Sequence, residues 1–164
     1  MSSRIHTVLF ICSHNSARSI MAEGILNSLA GGRFIAYSAG SHPAGEVHPL
    51  ALATLESMRM STEGYRSKDW SEFAAPGAPG LDFVFTVCDT AAGEVCPVWP
   101  GQPLTAHWGV ADPAAFRGSE AETRQVFRDT AIVLKRRIEF LLALPLASLD
   151  RLAIQRAVDD IGRG

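Results

Sequence analysis

The sequence predicts an α/β fold: a three-layer α/β/α domain with a four-stranded parallel sheet. Two observations carry that expectation. Short apolar runs alternate with segments whose apolar residues recur at helical spacing, and strand, helix, strand, helix in that order implies right-handed crossovers and a parallel sheet. The second is size. At 164 residues with 47% hydrophobic residues the chain is long enough for one buried core.

The elements follow in order. "HTVLFI" (6–11) reads as a short buried strand. The next twenty residues place Ile20, Met21, Ile25, Leu26 and Leu29 at helical spacing, closed by Gly31 and Gly32. "RFIAYSAG" (33–40) is a second strand. Pro43 and Gly45 mark a loop before "HPLALATLESMR" (48–59), a helix with proline near its start. A stretch rich in Pro and Gly leads to "LDFVFTV" (81–87), the clearest strand, and "PLTAHWGV" (103–110) supplies the fourth. The span 119–144 reads as a long helix whose entry, Ser119 with Glu122, is a capping box. After Pro145, "LASLDRLAIQRAVDDIG" reads as one more amphipathic helix, with Leu146, Leu149, Ala153, Ile154, Ala157 and Ile161 on one face. The expected organisation is a main domain over 1–145, with 146–164 as a helix packed on or extending it.

Composition excludes several functions. Fifteen basic residues against seventeen acidic ones give a net charge of −2, with no basic run to hold nucleic acid. No segment approaches the roughly 18 apolar residues of a membrane span, and the N-terminus lacks a signal-peptide pattern. The expected location is the cytoplasm. In that compartment three cysteines point to reactivity or metal binding rather than permanent bridges.

In an open parallel sheet, ligands bind beyond the carboxyl ends of the strands. Cys12, Cys88 and the loop after Val110 all lie just past predicted strand ends. Cys12-Ser13-His14-Asn15-Ser16-Ala17-Arg18 is a cysteine and an arginine separated by five residues, between a strand and a helix. Such a loop can turn its backbone N–H groups inward around an anion, with the helix N-terminus aimed at the same point. Arg18 adds a planar fork matched to two oxygens of a tetrahedral oxyanion. A thiol in that field is expected to have a lowered pKa, and Ser19 can place a hydroxyl on the sulfur. Asn15 tolerates a left-handed backbone. His14 either tunes the sulfur or faces solvent.

Chemistry of this kind needs a proton donor for the departing oxygen, and Asp112 in "HWGVADP" is the candidate. Cys88 and Cys96 allow three readings: buried small hydrophobes, half of a zinc site with His107, or a redox pair. One wide cysteine pair suits zinc poorly, so no metal is expected. Eight residues of helix would span about 12 Å, whereas disulfide-linked Cα atoms lie roughly 4.4–6.8 Å apart. A redox pair therefore predicts a helix over Asp89–Val95 in the dithiol form and an unwound loop in the disulfide form.

"CSHNSARS", "MAEG", "YSAG", "FTVCDTAAGEVCPVWPG" and "HWGVADP" together resemble the arsenate reductases built on the low-molecular-weight protein tyrosine phosphatase fold, over about residues 6–142. The resemblance implies that Ser13 to Ser19 bind arsenate, with phosphate or sulfate as competing anions. It implies that Cys12 attacks arsenic, Asp112 protonates the leaving oxygen, Cys88 attacks Cys12, and Cys96 then forms a disulfide with Cys88. No bound cofactor is implied. The external reductant would be thioredoxin, or glutathione or mycothiol with a glutaredoxin-type protein. The Cys88–Cys96 interval is one residue longer than in the thioredoxin-linked members. Those members hold potassium through residues resembling Asn15, Glu23, Ser38 and an aspartate; here Lys68 stands at the matching position beside Asp69, so no potassium requirement is expected. A monomer or weak dimer is expected. Two other readings share the nest: a phosphatase that hydrolyses phosphocysteine with water, and a non-catalytic oxyanion or redox sensor.

Overall fold

The computed structural model describes residues 4–88 and 99–164. Four parallel strands, β1 (His6–Cys12), β2 (Phe34–Gly40), β3 (Phe83–Thr86) and β4 (Leu104–His107), form one sheet in the order β2-β1-β3-β4. Val8 to Ile11 of β1 have no exposed surface, so both faces of the central strand are covered, as its unbroken apolar run requires. Four α-helices accompany the sheet among the described residues: α1 (Arg18–Leu29), α2 (Pro49–Ser57), α3 (Glu120–Ala143) and α4 (Arg151–Arg163). The three-layer α/β/α expectation is met. No helix among the described residues is long and apolar enough to cross a membrane.

Local signals set the element ends. His48 caps α2 by accepting from the Leu50 N–H, with Pro49 in the first turn. The Ser119 and Glu122 capping box opens α3 in both directions, a feature worth about 1 kcal/mol. α1, α2 and α3 pack on one another, and α1 buries Ile20, Met21, Ile25 and Leu26.

The C-terminal segment differs from its sequence reading. Leu146–Ser148 form a separate 3₁₀ turn, and α4 starts only at Arg151, because the Asp150 carboxylate accepts the Ala153 N–H at 2.8 Å and caps a new helix. Its fully buried residue is Val158, which lies one position beside the face read from the sequence. α4 packs on β4 and α3.

The strand order fixes the site. From β1 the chain moves outward to β2 and then returns past β1 to β3 and β4, so the order reverses between β1 and β3. Cys12 ends β1, and Cys88 follows β3 by two residues. The ladder runs on past β3, with the Val87 N–H bonded to the Ile11 carbonyl at 2.8 Å. Both sulfurs are thereby delivered to the crevice where such folds bind ligands.

Candidate active site

The loop from Ser13 to Ala17 forms a nest because its carbonyls are bonded on the outside. The carbonyls of Ser13, His14 and Ser16 accept the backbone N–H groups of His42 (2.8 Å), Ala44 (2.9 Å) and His48 (2.8 Å), and the Ser67 hydroxyl adds a 3.0 Å bond to the His14 carbonyl. In a trans peptide the N–H points opposite to its carbonyl. The N–H groups of His14, Asn15 and Ala17 are therefore turned away from that outer loop. Gly40 permits the close approach: a Cβ there would lie 2.6 Å from the Ser13 carbonyl oxygen. The N-terminus of α1 faces the same point and carries no side-chain cap, leaving its first N–H groups and positive dipole end for an anion.

Asn15 is the keystone of the loop. It has φ of 46°, the left-handed conformation expected of it, and is fully buried. Its Oδ1 accepts the Lys68 backbone N–H at 2.9 Å, which fixes the amide so that Nδ2 donates to Ser19 Oγ at 2.7 Å. With that oxygen occupied as an acceptor, the Ser19 hydroxyl has its own proton to direct at Cys12 Sγ, 2.9 Å away. Cys12 is a free thiol and only 2% exposed.

Burial is the largest influence on the Cys12 thiol and raises its pKa. The Ser19 hydroxyl, the Ser19 backbone N–H and the Arg18 guanidinium all act to lower it, while Cys88 adds a raising contribution. The net direction in the resting site is upward, which corrects the sequence expectation of a lowered value. A nest deep enough to surround an anion also takes the sulfur out of water, and desolvation disfavours the thiolate.

Arg18 opens α1 and crosses to the far side of the site. Its Nη1 donates to the Val110 carbonyl at 3.1 Å, and its Nη2 lies 3.6 Å from Asp112 Oδ2. The Asp112 side chain is 32% exposed, against 11% for Arg18. Its other oxygen, Oδ1, accepts the Ala114 N–H at 3.0 Å and caps a short 3₁₀ turn over Pro113–Ala115. One carboxylate oxygen thus anchors the loop while the other faces the nest.

Cys88 is buried and meets the first residue of the nest. The Ser13 N–H donates to its sulfur at 3.1 Å, and Ser13 Oγ lies 3.5 Å from it. In this arrangement Ser13 serves the second thiol. His14 is exposed, and Ser16 and Ala17 complete the loop. The structure therefore brings together Cys12, Ser13 to Ser19, Cys88 and Asp112. Cys96, and the expected helix over Asp89–Val95, lie outside the described residues. Among the described residues no group of three or more His, Cys, Asp or Glu side chains is placed to hold a metal.

Behind the nest lie a buried lysine and a half-buried glutamate. Lys68 is 7% exposed, donates to the Arg66 carbonyl at 2.9 Å and feels the charge of Glu23. Glu23 accepts the Ser38 hydroxyl at 2.5 Å. Burial lowers the Lys68 pKa and raises that of Glu23, and each charge opposes the other's shift. Asp69 is turned away to cap the next 3₁₀ turn, accepting the Ser71 N–H at 2.8 Å.

Sequence reading missed the outer loop from His42 to His48 as the nest's scaffold. Its role lies in backbone N–H groups, which carry no residue signature. It also missed Arg137, which donates to the carbonyls of Trp108 and Gly109.

A thiol inside a nest of backbone N–H groups, a carboxyl on the neighbouring loop and a second thiol on the nest's rim are thus gathered at the carboxyl ends of β1 and β3. Residues 7–153 match the family model described as low molecular weight phosphotyrosine protein phosphatase, and the chain belongs to that family. Within it, the chain is similar to the glutaredoxin arsenate reductase of Synechocystis sp., with 31% identity over 83% of this chain and 95% of that one. A solved arsenate reductase in the phosphate binding state superposes with a TM-score of 0.70 at 30% identity, covering 85% of this chain and 98% of that one. A thioredoxin-dependent arsenate reductase of Corynebacterium glutamicum superposes with a TM-score of 0.58 at 29% identity, covering 85% of this chain and 64% of that one.

Proposed function

We propose that the protein reduces arsenate to arsenite with electrons from its own thiols. The observation that carries this reading is the position of Cys88. A phosphatase needs the nest, Cys12 and an acid, but it has no use for a second buried thiol bonded to the nest's first N–H at 3.1 Å.

Arsenate enters the nest as a tetrahedral oxyanion, held by the N–H groups of residues 14 to 19 and the Arg18 fork, with phosphate or sulfate competing. Cys12 sulfur bonds to arsenic as one arsenate oxygen leaves. Asp112 protonates that oxygen, and it departs as water once it also carries the thiol proton. Cys88 then attacks Cys12 sulfur. The S–As bonding pair stays on arsenic, which passes from As(V) to As(III), and the two sulfurs are oxidised to a disulfide. Two thiols and arsenate give a disulfide, arsenite and water. Cys96 next attacks Cys88, releasing Cys12 and leaving a Cys88–Cys96 disulfide.

That disulfide requires an external dithiol, a thioredoxin or glutaredoxin-type protein, and so a reducing compartment, the cytoplasm. The reading needs no resident cofactor or metal. Residues 1–145 carry the chemistry, with 146–164 as a helical extension of the same domain, working as a monomer or weak dimer. A weak hydrolysis of aryl phosphates accompanies it, since the first step is shared.

The test is arsenate-dependent turnover with thioredoxin and its reductase, and separately with glutathione and glutaredoxin. Wild type should turn over with at least one system. Cys88→Ser should lose multiple-turnover reduction in both while still hydrolysing an aryl phosphate. Unimpaired reduction by Cys88→Ser would overturn the relay. Aryl phosphate hydrolysis without any arsenate reduction by wild type would assign a phosphatase instead.

A further inference from the structure

Arg137 stands in the C-terminal third of α3, and its partners are not the usual ones for a buried cation. It is 9% exposed. Its Nη1 donates to the Trp108 carbonyl at 2.7 Å and to the Gly109 carbonyl at 3.1 Å, while its buried Nε has no hydrogen-bond partner among the described residues. No carboxylate pairs with it within salt-bridge distance among the described residues. A guanidinium desolvated for the sake of two backbone carbonyls is a poor stabilising device, because burying a charge costs several kcal/mol unless a counter-charge and full hydrogen bonding offset it.

What those carbonyls belong to gives the arrangement its meaning. The next carbonyl along the chain, that of Val110, is held by Arg18. Three successive carbonyls, 108 to 110, are therefore clamped between two guanidinium groups, one from α3 and one from the nest. Asp112 follows two residues later. The C-terminal helix grips the same stretch from its own side. The Trp108 indole N–H donates to the Val158 carbonyl at 2.9 Å. Gly162 packs so close that a Cβ there would lie 2.2 Å from the His107 carbonyl oxygen and 2.8 Å from the Trp108 ring. Val158 and Gly162 lie beyond residue 153, where the family match ends.

We propose that Arg137 is a positioning residue for the acid loop, acting with α4 to fix Asp112 relative to Arg18 without touching the substrate. The inference rests on the reading of Asp112 as the acid. A misplacement of about 1 Å at a reacting group can cost on the order of a hundredfold in rate. A loop whose approach to Asp112 is held at residues 108 to 110 by side chains from other elements is one way to prevent it.

A leaving-group series separates positioning from mere support. Good leaving groups need little protonation and basic ones need much. The experiment compares wild type, Arg137→Met, Arg137→Lys, Gly162→Ala and Asp112→Asn on p-nitrophenyl phosphate and phenyl phosphate, with Cys12 alkylation by iodoacetamide as a check on the nest. Arg137→Met should lower kcat on phenyl phosphate by about tenfold or more and on p-nitrophenyl phosphate by much less. KM and the alkylation rate should stay within about twofold of wild type, with partial recovery in Arg137→Lys. Gly162→Ala should show the same pattern with a smaller loss. Equal losses on both esters, or none, would overturn the inference. If Arg137→Met does not fold, Gly162→Ala decides by the same criterion. A flat leaving-group response in Asp112→Asn would instead remove the acid reading itself, a failure distinct from that of Arg137.

Discussion

On one side of the Cys12 sulfur, the nest is held by backbone bonds from the His42–His48 loop, by Asn15 bridging to Lys68 and by Gly40 drawn against it. On the other side, Asp112 arrives on a loop anchored by guanidinium groups reaching in from α1 and α3 and by its own Trp108 indole, which donates to a carbonyl of α4. The nest side is enclosed and built before any ligand arrives, as an anion site must be if its dipoles are to stabilise charge without rearranging. The acid side is a third exposed and depends on side chains that can each be removed singly. On the proposed reading, binding and sulfur reactivity are local properties of the nest, whereas protonation of the leaving group by Asp112 depends on packing across the molecule.

The largest expected effect comes from removing the proposed acid, Asp112, while leaving the nest intact. Asp112→Asn keeps the side chain's size and an oxygen to cap Ala114. It should lower kcat for arsenate by about 10²–10⁴-fold, the ordinary contribution of a general acid. Inhibition by phosphate should stay at least as tight, because no carboxylate then competes for Arg18. Steady-state kinetics with phosphate as inhibitor provide the check. A loss of phosphate binding equal to the loss of kcat would mean that the two sides are not separable.

A smaller effect should come from the nest. In Ser19→Ala the thiolate loses a hydroxyl donor, and the Asn15 amide loses its acceptor. Donors lower the pKa of an acid by favouring its charged form, so removing one moves it upward. The pH profile of Cys12 alkylation should shift to higher pH, with the rate at pH 7 falling about tenfold, as expected for a lost hydrogen bond to a charged group. The leaving-group dependence should not change. A profile that stayed in place would show that the backbone N–H groups and Arg18 alone control the sulfur.

The same division explains what the sequence revealed. Cys12, Asn15, Arg18 and Ser19 are legible because a nest is a local object: seven or eight consecutive residues, a strand before them and a helix after. The strands were legible because buried parallel strands are unbroken apolar runs, and α3 because its capping box stands at Ser119 and Glu122. Arg137 was illegible because nothing in "VLKRRIEF" separates a surface arginine from one turned inward; only the fold brings it to residues 108 and 109. The break before α4 was illegible for a related reason. Asp150 can be a helical residue or a cap, and an apolar face continued through it hides the difference.

The smallest expected effect is none at all, and it tests the buried cation behind the nest. Lys68 bonds through its own N–H to Asn15, and its ammonium lies within the influence of Glu23, which in turn holds Ser38. Glu23 and Ser38, with Asn15, would be the oxygen donors of a monovalent cation site, but a covalently tethered ammonium already supplies the charge, and Asp69 is committed to capping. Turnover should therefore be equal in potassium and sodium at matched ionic strength. In Lys68→Met the half-buried Glu23 loses a nearby positive charge, which should lower the melting temperature, and added potassium should restore part of it if the vacated space admits the ion. Stimulation of wild type by potassium over sodium would show instead that the ammonium leaves room for a second cation, and that the nest is less self-contained than its hydrogen bonds imply.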